Sequence, residues 1–573
     1  MPAGFPDGFI DEDSTTGWRN TMSNNQVRKY DVVIIGTGIG GTTLGAILAR
    51  HGLRVAMIDS GTHPRFAVGE STIATTTLTL ELMAMRFDVP ELKHITSIAE
   101  VSENVMPSCG VKRNFGFVYH REHTEQNPQE VNQALVVNEV HYFRQDIDAY
   151  MLHVAIRYGC DAYQNTVVDD IRIDAGGVTV TTRGGLTFEA DFVADGAGYR
   201  SVLADKLGLR ETPCRAKTHA RGLFTHMIDV KPFDACREVP KALQQPVPWH
   251  QGTLHHLFDG GWMWVIPFNN TPESKNPLVS VGLMLDPRKH PKPDVRPEQE
   301  FADFIAKHPD MARQFADARA VREWVSSGRI QYSASACTGD RFCLLSHATG
   351  FIDPLFSRGL FNTMQTTNAL AGLLIEAAKD RDFSKARFAP VEKLQQGLID
   401  FNDRLVNCSY LSWGHYPLWN AWFRLWLLTG NYGQLHLQRV MMKYRQTGDA
   451  RWLEPADALL PGAFTTLEPI MRLFEAAAVC VERYGAGELS GEAAERAIYA
   501  LLEENAALLP PFFDFVSPAE RITWPSTPEK IAALLLEWVE RLPEDVRAEY
   551  FDYDVRALLQ QPVVKDTITA DVA

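Results

Sequence analysis

Residues 30–41 read YDVVIIGTGIGG, and the fold class is predicted chiefly from this stretch. The unbroken apolar, largely β-branched run before Gly36 is typical of a parallel strand covered on both faces. The glycines Gly36, Gly38 and Gly41 follow at once. The first permits a tight turn, the second lets a pyrophosphate approach the backbone, and the third lets the next helix pack closely. Residues 42–51 are predicted to form that helix, whose N-terminus offers free N–H groups to phosphate.

A second strand is predicted at residues 53–58, and Asp59 follows it directly. An acidic residue at this distance beyond a glycine turn is placed to bind a ribose hydroxyl. The glycine turn alone would be a weak signal, because glycine-rich turns are common. The complete order of strand, turn, helix, strand and acid predicts an α/β domain of the Rossmann type that binds a dinucleotide.

Later segments favour FAD as that dinucleotide. Residues 65–71 (RFAVGES) follow the second strand closely, so Glu70 and Ser71 can reach a flavin ring. Arg144 opens a predicted helix, where its charge can neutralise phosphate; the alternative is a solvated charge in the first turn of that helix.

A second turn, ADGAG at residues 194–198, follows a strand predicted at residues 187–193. It returns the chain to the first sheet, as an extended cofactor requires, and places Asp195 at the cofactor. Alternating polarity at Gly177–Thr182 predicts a strand of a substrate-side sheet. The sequence contains no second strand–GxGxxG–helix unit, so reducing equivalents are expected from a separate protein.

Composition excludes several classes of partner. The net charge of −15 gives the chain no general attraction to nucleic acid or to anionic lipid. The eight cysteines are scattered, which predicts reduced thiols and no metal site. No apolar run reaches the length of a membrane span and no signal peptide is evident, so a cytoplasmic protein is expected.

The segment GWMWVIP at residues 261–267 narrows the chemistry. Spacing alone indicates only a strand with two tryptophans on one face. Together with the GxGxxG turn, however, it resembles the flavin-dependent halogenases, and the resemblance is strongest to the branch that halogenates phenols. The stretches that carry it are HPRFAVGES (63–71), SCGVKRNFGF (108–117), HYFRQDID (141–148), GWMWVIPFNN (261–270) and GDRFCLLSHATGFIDPLFSRGL (339–360).

The resemblance implies that FADH2 from a separate NAD(P)H-dependent flavin reductase, with O2, oxidises bound chloride or bromide to hypohalous acid. It assigns Lys112 as the residue that relays this acid to the substrate, either as an ammonium or as a neutral amine that forms a haloamine. The alternative at that position is a surface lysine in a Lys-Arg pair.

The same resemblance places the halide near Ser357, Arg358 and Gly359, where successive N–H groups can bind an anion. It places Asp353 and Pro354 against the flavin. Some relatives attach FAD covalently through an aspartate at this position, which a carboxylate at 353 permits.

The chain departs from the halogenases that act on tryptophan at one informative position. Those enzymes carry a glutamate where this sequence has Phe356. A phenol oxygen stabilises the cationic intermediate itself and needs that carboxylate less, so the substrate is expected to be an electron-rich phenol in contact with Phe115 and Phe356. A homodimer is left open.

The sequence divides into an N-terminal extension (1–28) expected to be disordered, an FAD-binding core with a β-sheet substrate lobe (29–370) and a helical C-terminal region (371–573). In that last region Trp419, Trp422 and Trp426 recur at helical spacing, which favours packing over a binding site. Two alternatives to a halogenase remain open: a single-component FAD-dependent aromatic hydroxylase and an inactive flavin-binding module.

Overall fold

A computed structural model describes residues 27–454, 465, 467–523 and 528–556. The strands are β1 (Val27–Lys29), β2 (Val32–Ile35), β3 (Val55–Ile58), β4 (Gly110–Tyr119), β5 (Val131–His141), β6 (Asp161–Tyr163), β7 (Val168–Asp174), β8 (Gly177–Thr182), β9 (Thr187–Ala190), β10 (Phe192–Asp195), β11 (Arg221–Ile228), β12 (Gly252–Phe258), β13 (Gly261–Pro267), β14 (Val279–Leu285), β15 (Arg319–Ala320), β16 (Val325–Arg329), β17 (Thr338–Gly339) and β18 (Phe342–Leu344). The helices are α1 (Ile39–Arg50), α2 (Ala74–Phe87), α3 (Ile98–Asn104), α4 (Arg144–Arg157), α5 (Val202–Lys206), α6 (Pro297–Ile305), α7 (Pro309–Gln314), α8 (Arg358–Asp380), α9 (Lys385–Ser412), α10 (Tyr416–Thr447), α11 (Glu468–Gly485), α12 (Gly491–Glu504), α13 (Pro528–Arg541) and α14 (Glu544–Tyr550).

The predicted first strand lies near the middle of a six-stranded sheet with the order β17-β18-β10-β2-β3-β6. All four residues of β2 are buried, and β2 pairs in parallel with both β3 and β10. The pairing with β10 confirms that the second turn returns to the first sheet. The strand predicted at 187–193 is wrong as a single element, because the chain changes sheets at Asp191 and forms β9 and β10 instead.

A four-stranded sheet, β1-β9-β8-β7, packs on the parallel sheet. Val178 and Val180 of β8 share a hydrophobic cluster with Val33 and Ile58 of the parallel sheet. The placement of Gly177–Thr182 on the substrate side is therefore wrong. Its alternation arises because one face of the small sheet is covered by the cofactor domain.

The N-terminal extension is shorter than predicted. Val27 and Arg28 belong to β1 and pair with Thr187 and Phe188 of β9. The rest of the stretch expected to be disordered, residues 1–26, lies outside the described residues.

The GWMWVIP segment forms β13 at the centre of an eight-stranded sheet with the order β15-β11-β14-β13-β12-β4-β5, in which β16 also pairs with β11. Its side chains alternate between two cores. Trp262 and Trp264 face the large hydrophobic core that this sheet shares with the cofactor domain and the C-terminal helices. Met263 and Val265 face a smaller hydrophobic cluster on the other side of the sheet. Both tryptophans therefore lie on one face, as predicted, and that face is the inner one.

The C-terminal part of the described chain is helical, as predicted, and contains helices α8 to α14. Helix α8 runs across residue 370, so the boundary predicted there falls inside a helix. Trp419 and Trp422 are fully buried in α10, which confirms that they serve packing. Among the described residues, no helix combines the length and apolarity needed to cross a bilayer.

The glycines of the first turn are expected to differ in their effect on the free energy of unfolding. A Cβ at Gly41 would lie 2.1 Å from the backbone oxygen of Gly36, whereas a Cβ at Gly38 would meet no atom within 4 Å. We expect Gly41→Ala to lower the free energy of unfolding by at least about 2 kcal/mol. Gly38→Ala should leave it unchanged and weaken FAD binding only. Chemical denaturation and FAD titration of both variants test this, and equal unfolding free energies would contradict the assigned packing.

Candidate active site

A cavity of about 320 Å³ lies between the parallel sheet and the eight-stranded sheet. Its walls come from the 68–71 loop, the second turn, β12, β13 and the start of α8. The predicted site residues that line it are Glu70, Ser71, Pro354, Ser357 and Gly359. The two motif tryptophans, Trp262 and Trp264, line it as well. Segments far apart in the sequence thus meet at one largely apolar cavity, as small-molecule sites usually do.

The two turns beside this cavity fit the phosphates and ribose of FAD. Gly36 has a φ of +94°, and a Cβ there would lie 2.7 Å from the backbone oxygen of Gly196, so the two turns touch. The space around Gly38 is open, and the N-terminus of α1 follows it directly. An open approach to a helix N-terminus is the arrangement that binds a pyrophosphate. The residues present therefore fit the cofactor that the sequence predicts.

Asp59, the predicted ribose ligand, lies at the end of β3 as expected. Its carboxylate accepts hydrogen bonds from the backbone N–H groups of Thr37 (2.7 Å) and Gly61 (2.8 Å) and from Arg65 Nη2 (2.6 Å). Burial alone would raise the pKa of Asp59, but these donors outweigh it and hold the pKa at about 2. The carboxylate is therefore ionised and oriented towards the first turn.

Arg144, the predicted phosphate ligand, holds the 63–71 loop in place. Its guanidinium makes a two-point ion pair with Asp148 (2.7 and 2.8 Å) and donates to the carbonyls of Val68 and Gly69. These contacts anchor the loop on α4. A role in phosphate binding stays a prediction.

Asp195 and Glu70 also have protein partners. Asp195 accepts hydrogen bonds from Ala197 N and Ser201 Oγ and so closes the second turn. Glu70 accepts a hydrogen bond from His226 Nε2 at 2.7 Å, and both side chains are buried. Asp195 therefore shapes the turn, whereas Glu70 lines the cavity itself.

Asp353 connects the GWMWVIP motif to the C-terminal helices. Its carboxylate accepts hydrogen bonds from Trp262 Nε1 (3.2 Å), Tyr410 OH (3.1 Å) and Leu355 N (3.0 Å). Burial raises the pKa of Asp353 to about 7, although these donors oppose the shift. The spacing of the sequence could not reveal the Trp262–Asp353 contact, because 91 residues separate the partners.

The start of α8 carries an unusual backbone conformation. Phe356 (φ 68°) and Ser357 (φ 54°) are consecutive non-glycine residues in the left-handed region, where each costs about 1–2 kcal/mol. Ser357 N–H donates to the carbonyl of Pro354. The Arg358 guanidinium lies 4.7 Å from the centre of the Phe401 ring, and burial lowers its pKa to about 9. Halide binding at Ser357, Arg358 and Gly359 stays a prediction.

Lys112 is completely buried on β4 and reaches the wall of the cavity. Its Nζ donates to Thr72 O at 2.6 Å and to Ser71 Oγ at 3.0 Å, and it lies 3.9 Å from the centre of the Phe115 ring. The reading of Lys112 as a surface lysine is therefore wrong. Ser71 lines the cavity, so Lys112 is separated from it by a single side chain.

Glu139 lies opposite Lys112 in the β4–β5 register and is buried as well. Its carboxylate accepts a hydrogen bond from Thr72 Oγ1 at 2.7 Å. Burial lowers the pKa of Lys112 and raises that of Glu139, and the attraction between the two opposes both shifts. A free amine is thus more accessible at Lys112 than at an exposed lysine.

Beyond Lys112 lies a dense aromatic cluster that contains both predicted substrate residues. Trp426 packs against Phe115 (ring centroids 5.0 Å apart) and stacks on Phe356 (5.1 Å). His255 stacks on Phe115 at 4.6 Å with nearly parallel rings. Phe115 and Phe356 are packed within this cluster and do not line the cavity, so contact of either residue with a substrate stays a prediction.

Sequence reasoning missed several residues of this site: Glu139, His141, Thr253, His255 and Tyr410. A usable signal existed for two of them. Glu139 and His141 are the ionisable groups of β5, and they lie shortly before the predicted Arg144 helix. Tyr410 gave no signal, because its contact with Asp353 depends on how α9 packs.

Comparison with known proteins agrees with this geometry. The model of the FAD binding domain family matches residues 29–381. The chain is 47% identical to a tetracycline 7-halogenase from Kitasatospora aureofaciens over 489 residues, which cover 84% of this chain and 88% of the relative. It is 44% identical to the monodechloroaminopyrrolnitrin halogenase PrnC from Pseudomonas fluorescens over 548 residues, 94% of this chain and 96% of the relative.

Among solved structures, the halogenase PltM in complex with phloroglucinol and FAD superposes with a TM-score of 0.83 at 35% identity. The superposition covers 86% of this chain and 99% of PltM. These relatives are matched over 88%, 96% and 99% of their own lengths, and the residues matched by the family model include Lys112 and the residues that line the cavity. The protein therefore belongs to the flavin-dependent halogenases.

Proposed function

We propose that this FADH2-dependent halogenase acts on an electron-rich phenol and that Lys112 carries the halogen to it. The burial of Lys112 between the cavity wall and the aromatic cluster supports this proposal most strongly. FAD, when bound in reduced form, supplies with O2 the oxidising power that converts chloride or bromide to hypohalous acid. Every later step depends on side chains of the chain itself.

The first of these steps is capture of the acid. Hypohalous acid that enters the cavity meets the wall formed by Ser71, next to Lys112 Nζ. Lys112 then holds the acid, either by hydrogen bonding as an ammonium or as an amine that takes the halogen. Lys112 and the aromatic side chains around it are buried, which limits loss of the held acid to solvent.

The second step is attack by the substrate ring. Phe356 has neither a charge nor a proton acceptor and is fully buried against Trp426. The side chain at this position therefore offers no base for the ring proton. A phenol suits such a site, because its oxygen donates electron density into the ring and stabilises the cationic intermediate. PltM was crystallised with phloroglucinol, a phenol, which is consistent with this substrate class.

The reducing equivalents come, in this proposal, from a separate flavin reductase. The described residues contain one glycine-turn dinucleotide unit, at β2 and α1, and it belongs to the FAD site. Free FADH2 generated by any NADH-dependent flavin reductase should therefore support turnover, whereas NADH alone should not.

Replacement of Lys112 tests its role. Lys112→Met keeps the length of the side chain and removes the amine, and we expect halogenation to fall at least about 100-fold. Oxidation of FADH2 should continue, and hypohalous acid should be released and detected by a chemical trap. Arg113→Ala is the matched control, since Arg113 points away and donates to Gln251. Retained halogenation in Lys112→Met would refute the lysine relay, and a hydroxylated product from the wild type would indicate a hydroxylase.

A competition experiment tests the substrate class. Equimolar pairs of a phenol and its methyl ether, together with pyrroles and anilines, are incubated with the enzyme, FAD, a flavin reductase, NADH and bromide. We expect the phenols to be halogenated first, because their oxygen can lose its proton as the ring is attacked. Mass spectrometry reports the products by their isotope pattern. Preference for a pyrrole or an aniline would contradict the phenol class and leave the halogenase assignment intact.

A further inference from the structure

A chain of hydrogen bonds runs from Lys112 to the last residue of β13. Lys112 Nζ lies 3.0 Å from Ser71 Oγ, which lies 2.8 Å from Thr253 Oγ1. Thr253 Oγ1 lies 2.9 Å from His141 Nε2, and His141 Nδ1 lies 2.9 Å from the carbonyl oxygen of Pro267. All four side chains are at least 95% buried, and Ser71 and Thr253 also line the cavity.

The last acceptor, the Pro267 carbonyl, fixes the direction in which hydrogen bonds are donated along this chain. The Pro267 carbonyl can only accept a hydrogen bond, so Nδ1 of His141 carries the proton and Nε2 is left as an acceptor. Thr253 must then donate to His141, and its oxygen accepts from the Ser71 hydroxyl. This direction requires a neutral imidazole, and burial lowers the pKa of His141 to about 3.

This direction of donation determines whether the Ser71 hydroxyl donates to Lys112 or accepts from it. The Ser71 hydroxyl donates its proton to Thr253, so the Ser71 oxygen accepts a hydrogen bond from Lys112. The carbonyl of Thr72 can only accept as well. A neutral amine has two hydrogens and one lone pair, and both hydrogens are used by these two acceptors. The lone pair is therefore left without a hydrogen-bond donor from either of these two groups.

We propose that Thr253 and His141 are positioning residues for Lys112, which keep the Ser71 hydroxyl from donating to the lysine and so leave its lone pair free to take halogen. The inference rests on the proposed function. In the balanced step, the amine nitrogen forms a bond to the halogen as the oxygen–halogen bond of hypohalous acid breaks, and hydroxide leaves as water with one amine proton. The arene then takes the halogen, and its ring proton returns to the nitrogen.

The ionisable groups that face Lys112 agree with this role. Glu139 lies beside it on β5, and His141 and His255 approach from β5 and β12. Burial lowers the pKa values of His141 and His255 to about 3, so both rings are neutral at neutral pH. Glu139 is therefore the acidic partner of Lys112 in this group.

Substitutions at Thr253 separate positioning from packing. Thr253→Ser keeps the hydroxyl chain, whereas Thr253→Val keeps the volume and breaks the chain. In Thr253→Val the Ser71 hydroxyl is free to donate to the lone pair of Lys112. We expect kcat for halogenation to fall about tenfold, the effect of one hydrogen bond to a reacting group, with KM for the arene unchanged. Release of hypohalous acid should rise, and Thr253→Ser should stay near wild type.

A second substitution makes the prediction specific. Ser71→Ala removes the group that would mask the lone pair, so the double variant Ser71→Ala/Thr253→Val should recover to the level of Ser71→Ala alone. Simple damage to packing would instead make the double variant worse than either single one. Thr225→Val, the same change at a buried threonine of the same sheet, controls for loss of stability, and thermal unfolding is measured for every variant.

A readout without turnover distinguishes failure of this inference from failure of the proposed function. Flavin-free enzyme is treated with dilute hypochlorous acid, and chlorination of Lys112 is followed by peptide mass spectrometry. We expect it to be several-fold slower in Thr253→Val than in wild type and Thr253→Ser. Equal rates, with equal kcat values, would overturn the positioning role. Absence of halogenation by the wild type, with Lys112 chlorination still dependent on Thr253, would overturn only the proposed function.

Discussion

The burial of a lysine amine between Glu139, Ser71 and Phe115 is the constraint on which the site depends. Moving an ammonium out of water is costly, and a protein tolerates it only where partners compensate. Here Glu139 supplies the opposite charge, Thr72 and Ser71 accept the N–H groups, and the centre of the Phe115 ring lies 3.9 Å from the nitrogen. The same burial makes the free amine accessible near neutral pH. One local arrangement therefore both stabilises the lysine and prepares it for chemistry.

The GWMWVIP strand, β13, contacts the cavity, the segment just before α8 and the hydrogen-bond chain that leads to Lys112. Trp262 and Trp264 line the cavity, and the indole of Trp262 also holds Asp353, which precedes the strained start of α8. At its end the strand supplies the Pro267 carbonyl that sets the tautomer of His141. The motif thus has a structural explanation: alternate tryptophans shape the cavity, and the proline terminates the strand where its carbonyl is needed.

Much of this architecture could be predicted from sequence, because it is local. The order of strand, glycine turn and helix at residues 30–50 depends on neighbouring residues, and the helices of the C-terminal region follow from their periodicity. The errors were non-local: the split of residues 187–193 into β9 and β10, and the sheet to which Gly177–Thr182 belongs, are set by tertiary pairing. Among site residues, Lys112 came from family resemblance, whereas Thr253, His141 and Tyr410 contact their partners across long sequence separations that no local pattern encodes.

The proposed relay of oxidised halogen by Lys112 from the cavity to the substrate can be tested by a single-turnover transfer experiment. The enzyme is loaded with FADH2, O2 and bromide in the absence of arene, freed of small molecules by rapid gel filtration, and then mixed with a phenol. If Lys112 carries the halogen, the filtered wild-type enzyme gives brominated phenol and Lys112→Met gives none. Equal bromination by both proteins, or none by a wild type that turns over normally with all components present, would contradict it.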